Sequence, residues 1–511
     1  MSLFWITLLP FAVLFVLLIG FRRPAYEAAP IAYVVALGIA LGVWQISGAV
    51  IGASLLDALI VFIEVLLIVA VALLVLNVMI ETGAFETIKT SMSSVTSDDR
   101  VMAMLLAWGL VGFIEGIAGF GTPAVLAAPV LVHFGFRPIK AVTISLIGNS
   151  TAVPFGAAGT PVVIGLSGLG LSEEVVAEAV FLSALIHAVL SVFITCFIAY
   201  LVTAGEKKGR FREFVPFATF SALSFSIPYL AVAYFVGPEL PAIVGGISAL
   251  IAITYAAQRR FLLPSGQKGD ESEEAATGSI LRSLTPFAVM AVALIISRTI
   301  PLVRETLQNL TLSFGEFRGV KLEQEFSPLY TPYFYLGLAL LTALLVFRVK
   351  GTTFRKAAHA TYRKVRVASV VLLFIIALTQ LLLLSEFNQA DLPSMPEVLG
   401  TGFTEGLGEL FVVFSAFLGA LGAFMTGSAT VSTLLFASLQ TDASAALAAS
   451  TGSLLGLQLV GAGVGNMISL SNIAMAAGAV GLAANEGEII RKTIIPPVVV
   501  CLTAGLLIYC L

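Results

Sequence analysis

The stretch EGIAGFGTP, residues 115–123, decides how this chain folds. Three glycines, a threonine and a proline interrupt a run that is otherwise apolar, and a lone carboxylate, Glu115, stands six residues ahead of the last glycine. Outward from it the sequence is oil: 59% of the 511 residues are hydrophobic, 11% are charged, and the mean hydropathy is +1.03. Apolar runs of roughly 18 to 20 residues recur along the chain, the length a helix needs to cross the hydrocarbon layer. The chain therefore reads as an all-α polytopic membrane protein. In that setting a helix breaker is tolerated only where protein or a water-filled cavity satisfies the freed backbone groups.

Composition removes several function classes. A net charge of −3 offers no basic surface to nucleic acid. Cys196, Cys501 and Cys510 lie in apolar runs at no metal-ligand spacing and read as packing residues, so neither a metal nor another cofactor is expected. GAAGTP (156–161) and GVGNMIS (463–469) lack the lysine and following Ser/Thr of a phosphate-binding loop. ATP-driven pumping is not expected, and nothing points to an enzyme. The apolar run 3–20 lacks a basic leader and a small-residue cleavage site, and Arg22 and Arg23 follow it, so it reads as the first span.

Basic residues set an orientation. Arg22 and Arg23 and segments 89–100, 133–140, 206–213, 258–282 and 348–366 fall in the cytoplasm by the positive-inside rule, with the N-terminus outside. Arg100 then shares a face with His133, Arg137 and Lys140, so 102–132 turns back as a re-entrant hairpin with its tip at 119–123. Residues 139–169 follow as a crossing broken at GAAGTP. The C-terminal part repeats the plan, with a hairpin at 411–436 broken at TGSAT (426–430) and a crossing at 443–484 broken at GAGVGN (461–466). Gly121 and Gly156 are 35 residues apart, and Gly427 and Gly461 are 34 apart. Three spans precede each hairpin, starting near Leu3, Ile31 and Ala53, and near Leu284, Pro332 and Ala368. Residues 1–203 and 283–511 thus read as two inverted-topology repeats, joined by linker helices in 214–257 and a cytoplasmic linker at 258–282. The expected architecture is about 12 transmembrane helices, two of them broken, plus two re-entrant hairpins, a plan that suits a secondary transporter with a midplane site.

Each break leaves helix ends inside the membrane. N-terminal ends offer free N–H donors and partial positive charge to an anion such as a carboxylate, whereas unwound carbonyls suit a cation. In or beside the breaks stand Gly121, Thr122, Asn149, Ser150, Thr151, Gly159, Thr160, Thr426, Gly427, Ser428, Thr430, Ser453, Gln458, Gly463, Asn466 and Ser469, the candidate substrate-binding set. Close packing of helices through small residues is the competing reading for any one of them. Glu115 is the candidate proton-coupling residue, because a carboxylate at membrane depth must face the protein interior; the alternative is a structural carboxylate capping backbone N–H groups. Glu64 is a second candidate proton carrier, with Asp57 on the same span. His187 reads either as a proton-handling group or as an inert donor to a backbone carbonyl, Gln380 as similar, and Arg298 as snorkelling outward.

At these motifs the chain resembles the L-lactate permease family. EGIAGFGTPAVLAAPVLVHFGFRPIKA (115–141) and IGNSTAVPFGAAGTP (147–161) are similar to the family's EGAxGFGTPxAIAA and IANTxPVAFGAxGxP. LGAFMTGSATVSTLLFASLQ (421–440) and GVGNMISLSNIAMAAGAVGL (463–482) are similar to its GxFxTGSDTSSNxLFxxLQ and GxxGKMISPQSIAxAxAAxGL. The resemblance implies proton-coupled uptake of small 2-hydroxymonocarboxylates, L-lactate, D-lactate and glycolate, across a bacterial or archaeal inner membrane. Two positions depart from it: the family's Asp in TGSDT is Ala429, and its Lys in GKMIS is Asn466. If those two form a charge pair, their joint loss leaves the site unchanged; if the lysine meets the substrate, this chain takes another anion or binds through helix ends alone.

All four breaks fall in two units, 102–169 and 411–484, so the sequence predicts an elevator-like displacement of both against the preceding spans, which would supply a homodimer contact. The alternatives are a sodium-coupled carboxylate carrier and an anion channel. A channel needs a continuous polar stripe, and the polar residues concentrate at the breaks instead.

Overall fold

The computed structural model describes residues 2–21, 23–87, 96, 98–119, 121–203, 210–263, 277–322, 325–482 and 486–510. Parts of three basic segments used for orientation, 89–95, 206–209 and 264–276, lie outside the described residues, as do Arg22 and Phe120. Among the described residues eight helices are long and apolar enough to cross a membrane, or up to eleven if each bent pair is one span. The eleven include the hairpin arm Asp99–Ala118, and two expected spans, Leu3–Leu18 and Pro332–Val346, are shorter apolar helices outside that number. The second is bounded by Pro332 in its first turn and by the chain's turn at Phe347, ahead of Arg348 and Lys350. Among the described residues the strands form two small antiparallel ladders in the polar segment, Leu312–Ser313 with Glu325–Phe326 and Glu316–Phe317 with Val320–Lys321, beside one isolated bridge between Ile46 and Asn388. The Phe317 ring sits where a side chain at Gly52 would go.

Two long helices, Gly48–Glu81 and Gly351–Leu383, pack along each other. Asn77 Nδ2 donates to Thr361 Oγ1 across this contact at 2.8 Å. At 34 and 33 residues they measure about 50 Å, longer than the hydrocarbon layer is thick.

The hairpin arm ending at Ala118 is enclosed by protein along its length. Its Gly109, Gly112 and Gly116 lie one helical turn apart and press against Leu250, Phe225 and the Ile243 backbone of the two linker helices, Arg210–Phe235 and Pro241–Gln258. Gly246 returns the contact on Phe113, so small residues bring the backbones together as membrane helices require. Trp108 Nε1 donates to the Ser221 carbonyl at 3.0 Å and fixes the arm's height. The chain then turns at Gly119 (φ +55°) and Gly121 (φ +73°), conformations open to glycine, and returns as Thr122–His133 with Pro123 in the first turn.

Both broken crossings differ in detail from the sequence reading. Pro138–Asn149 ends before GAAGTP; a 3-10 turn, Val153–Phe155, and three left-handed residues, Ala157, Ala158 and Gly159, lead into a second helix ending at Val163, with a 61° bend. In the C-terminal half the second hairpin arm, Ala429–Leu447, outruns the expected limit at Phe436. It stops where Ala448 takes a left-handed conformation (φ +51°) and Ser450 caps the next helix by accepting from Ser453 N at 3.2 Å. That helix is Thr451–Gly465, starting later than 443, and it passes unbroken through Gly461 and Gly463. Gly461 and Gly465 instead let the Ala416 and Ala420 carbonyls approach, so these glycines pack helices and do not break them. The break lies at the 3-10 turn Asn466–Ile468, before Leu470–Ala479, with a 41° bend.

Candidate functional site

Glu115 is buried at the end of the first hairpin arm. Asn149, the last residue of Pro138–Asn149, donates from Nδ2 to Glu115 Oε2 at 3.0 Å. The other oxygen, Oε1, faces Gly156, and a side chain there would collide with it. Gly119 also packs on Ala157, so the carboxylate is clasped between its own hairpin tip and the left-handed turn of the broken helix. No ion pair to Glu115 is found among the described residues. A carboxylate enclosed with an amide partner and no counter-cation is costly to keep ionised.

The two hairpin tips meet at one side chain. Gly427, the left-handed turn of the second tip (φ +72°), presents its carbonyl to Asn466 Nδ2 at 3.2 Å and Asn472 Nδ2 at 3.3 Å. Asn472 Nδ2 also donates to Asn466 Oδ1 at 2.7 Å, while Asn472 Oδ1 faces Gly121 of the first tip. Ser469 and Ser471 join hydroxyls at 2.9 Å beside Gly427. Val153 of the first broken helix packs with Ala429 and Ala462, which brings the fourth break to the same place. Thr122, Ser428 and Asn466, each under 10% exposed, line a closed junction.

Other expected site residues have local duties. Ser428 accepts from Val431 N at 3.3 Å and caps its helix, and Thr426 Oγ1 donates to the Gly422 carbonyl at 2.8 Å. Ser150 Oγ donates to the Ile147 carbonyl at 2.8 Å, and Thr160 Oγ1 to Ala157 O. Thr430 is buried one residue into the second arm. Gly159 turns (φ +76°) against the Pro238 and Glu239 backbone. Thr151 Oγ1 and Asn149 Oδ1 are buried without a partner among the described residues. Two members are drawn away from the tips. Gln458 donates to the Ser432 carbonyl at 3.1 Å and accepts from Gln440 at 3.3 Å, a network that ties the second hairpin's arms to the next helix. Ser453 donates to Glu178 at 3.2 Å near the start of its helix. Gly463 makes room for Pro154 and for His187, whose Nε2 has no partner among the described residues.

Arg298 does not snorkel outward. Its Nε donates to Glu239 Oε1 at 2.8 Å, its Nη2 to the Tyr330 carbonyl at 2.8 Å, and its guanidinium lies 3.6 Å from the Tyr330 ring centroid. Glu239, buried in the turn beside Gly159, supplies the countercharge that keeps it inside. Glu64 and Asp57 are buried within Gly48–Glu81, and Gln380 within Gly351–Leu383. The sequence reading missed Asn472, Ser471 and Glu239; Glu239 beside the Gly-Pro turn carried a signal, since an acid between two apolar runs needs a partner.

A buried carboxylate, two glycine-turned tips and two broken helices, gathered inside membrane-length helices, define a multi-pass membrane protein of the transporter class. The sequence matches the family described as L-lactate permease over residues 3–511, and the chain belongs to that family. It is 26% identical over 522 residues to the L-lactate permease of Escherichia coli (strain K12), covering 95% of this chain and 91% of that one. It is 28% identical over 478 residues to the L-lactate permease of Bacillus subtilis (strain 168), covering 84% and 81%. Among solved structures, the YdaH transporter of Alcanivorax borkumensis aligns over 87% of this chain and 84% of that one at 16% identity and a TM-score of 0.41.

Proposed function

We propose that this protein imports small 2-hydroxymonocarboxylates, L-lactate, D-lactate and glycolate, by proton symport across a bacterial or archaeal inner membrane. The observation that carries the reading is the clasp of Glu115 by Asn149 and the Gly156 turn, one residue cluster away from the point where both tips close. The anion is held between the tips. Helices starting at Thr122 and Ala429 direct their free N–H groups there, and Thr122, Thr160, Ser428 and Asn466 supply side-chain partners. Glu115 carries the proton, and its discharge loosens the clasp on the first tip, so that loading of anion and proton are linked through one hairpin.

The closed junction must open to each side in turn. Residues 1–203 and 283–511 act as inverted repeats, and the two hairpin-and-broken-helix units move together as an elevator against the paired helices Gly48–Glu81 and Gly351–Leu383. The interlocking of all four breaks supports their moving as one body. The N-terminus lies outside, and the fixed helices supply a homodimer contact. The test is uptake of labelled lactate into proteoliposomes under an imposed proton or sodium gradient. Accumulation driven by the proton gradient alone is expected; accumulation that follows sodium instead overturns the coupling assignment.

A further inference from the structure

Asn472 belongs to neither hairpin, yet it is the side chain on which both tips converge. It is 1% exposed and lies in Leu470–Ala479, just beyond the second broken helix's turn. Its amide orientation is fixed by its neighbours: the Gly427 and Asn466 carbonyls, at 3.3 Å each, and Asn466 Oδ1, at 2.7 Å, are all acceptors and require the nitrogen. Two N–H bonds are therefore divided among three acceptors. Oδ1 is left facing Gly121 of the first tip, and no hydrogen bond to it is found among the described residues.

We propose that Asn472 recognises the 2-hydroxyl of the transported acid, an inference that rests on the transport reading above. A carboxamide carries a donor and an acceptor side by side. A 2-hydroxycarboxylate carries the complement on adjacent carbons: a carboxylate oxygen to accept from Nδ2 and a hydroxyl to donate to Oδ1. Seated between the tips, the acid places a carboxylate oxygen on an Nδ2 N–H in place of one of these three acceptors, and its hydroxyl gives Oδ1 a donor. The hydroxyls of Thr122 and Ser428 and the helix N-termini donate to the carboxylate, and in that role they serve propionate as well as lactate. A site that pairs a buried polar atom with the hydroxyl rejects an analogue lacking it, because the atom is then left unpaired. Asn472 also explains how one side chain can report occupancy to both hairpins, since its nitrogen bonds the second tip and its oxygen borders Gly121 of the first and Gly427 of the second.

The experiment compares initial uptake of labelled lactate and propionate by the full chain in proteoliposomes, for wild type, Asn472→Leu and Asn472→Ser. Wild type is expected to favour lactate by about 100-fold or more. Asn472→Leu, close in volume and without polar atoms, should lose most lactate uptake and far less propionate uptake, collapsing the ratio by at least tenfold. Asn472→Ser should recover part of the ratio. Equilibrium binding of both acids to the purified variants, with thermal unfolding as the check on folding, decides the case where a variant transports neither. An unchanged lactate-to-propionate ratio in Asn472→Leu, by uptake or by binding, overturns the proposal. A wild type that takes up both acids equally overturns it while leaving the transport reading standing; a wild type that takes up neither overturns that reading and this one together.

Discussion

Substituting Gly121 by alanine separates the strain of a backbone conformation from the contact made at the tip. At φ +73° an L-residue pays about 1–2 kcal/mol. The added Cβ would also lie 2.9 Å from Met475 Cε and closer still to Asn472 Oδ1, so the amide must swing away from the first tip. Its bonds to Gly427 and Asn466 weaken with that motion, at a net cost of about 1–2 kcal/mol for the pair. Gly135→Ala is the control, because Gly135 has φ +91° and nothing within 4 Å of the added Cβ. Both variants carry the conformational penalty, and Gly121→Ala alone carries the contact. Initial lactate uptake should therefore fall in Gly121→Ala by about 5- to 30-fold more than in Gly135→Ala. Equal rates in the two variants would refute the claim that closure of the tips against Asn472 is part of transport.

Three further outcomes follow from the geometry. Arg298→Leu leaves the Glu239 carboxylate buried and unpaired, so thermal unfolding in detergent should show a loss of about 3–5 kcal/mol, largely restored by adding Glu239→Leu; a double variant no more stable than the single one contradicts this. Gly461→Val should disrupt packing against the Ala416 carbonyl and lower the unfolding temperature, whereas Gly478→Val, with open space at its Cβ, should not; equal effects would return Gly461 to the list of break residues. Cysteine pairs between Ala118 or Ala429 and different depths of residues 53–75 should cross-link in distinct states and stop transport; a single productive depth under every gradient favours a rocking mechanism over an elevator.

What the sequence disclosed follows from what a local pattern can carry. Gly119 and Gly121 precede a helix with proline in its first turn within an apolar run, and the structure turns there because glycine alone adopts those φ values freely. Glu115 announced itself because a lone carboxylate at membrane depth is rare. Gly461 and Gly463 misled, since a glycine in a membrane helix looks the same whether it ends the helix or admits a neighbour's carbonyl. That choice is made by Ala416 and Pro154, tens to hundreds of residues away. Asn472 escaped for the same reason: it sits in SLSNIAMAA, and the tips that give it meaning are 45 and 351 residues distant at Gly427 and Gly121. Arg298 reads from sequence as snorkelling because its countercharge, Glu239, lies 59 residues earlier in a short turn.

Glu115→Gln separates a coupling role for this carboxylate from a purely structural one. Glutamine keeps an acceptor for Asn149 Nδ2 and fits the same space, so it stands in for the neutral, protonated carboxyl while the titrating group is lost. Labelled lactate is measured in proteoliposomes in two modes, accumulation against an imposed proton gradient and exchange for unlabelled lactate inside. The variant is expected to lose accumulation and retain exchange. Accumulation at the wild-type level would contradict the coupling role and leave Glu115 as a structural carboxylate that holds the broken helix to the hairpin tip.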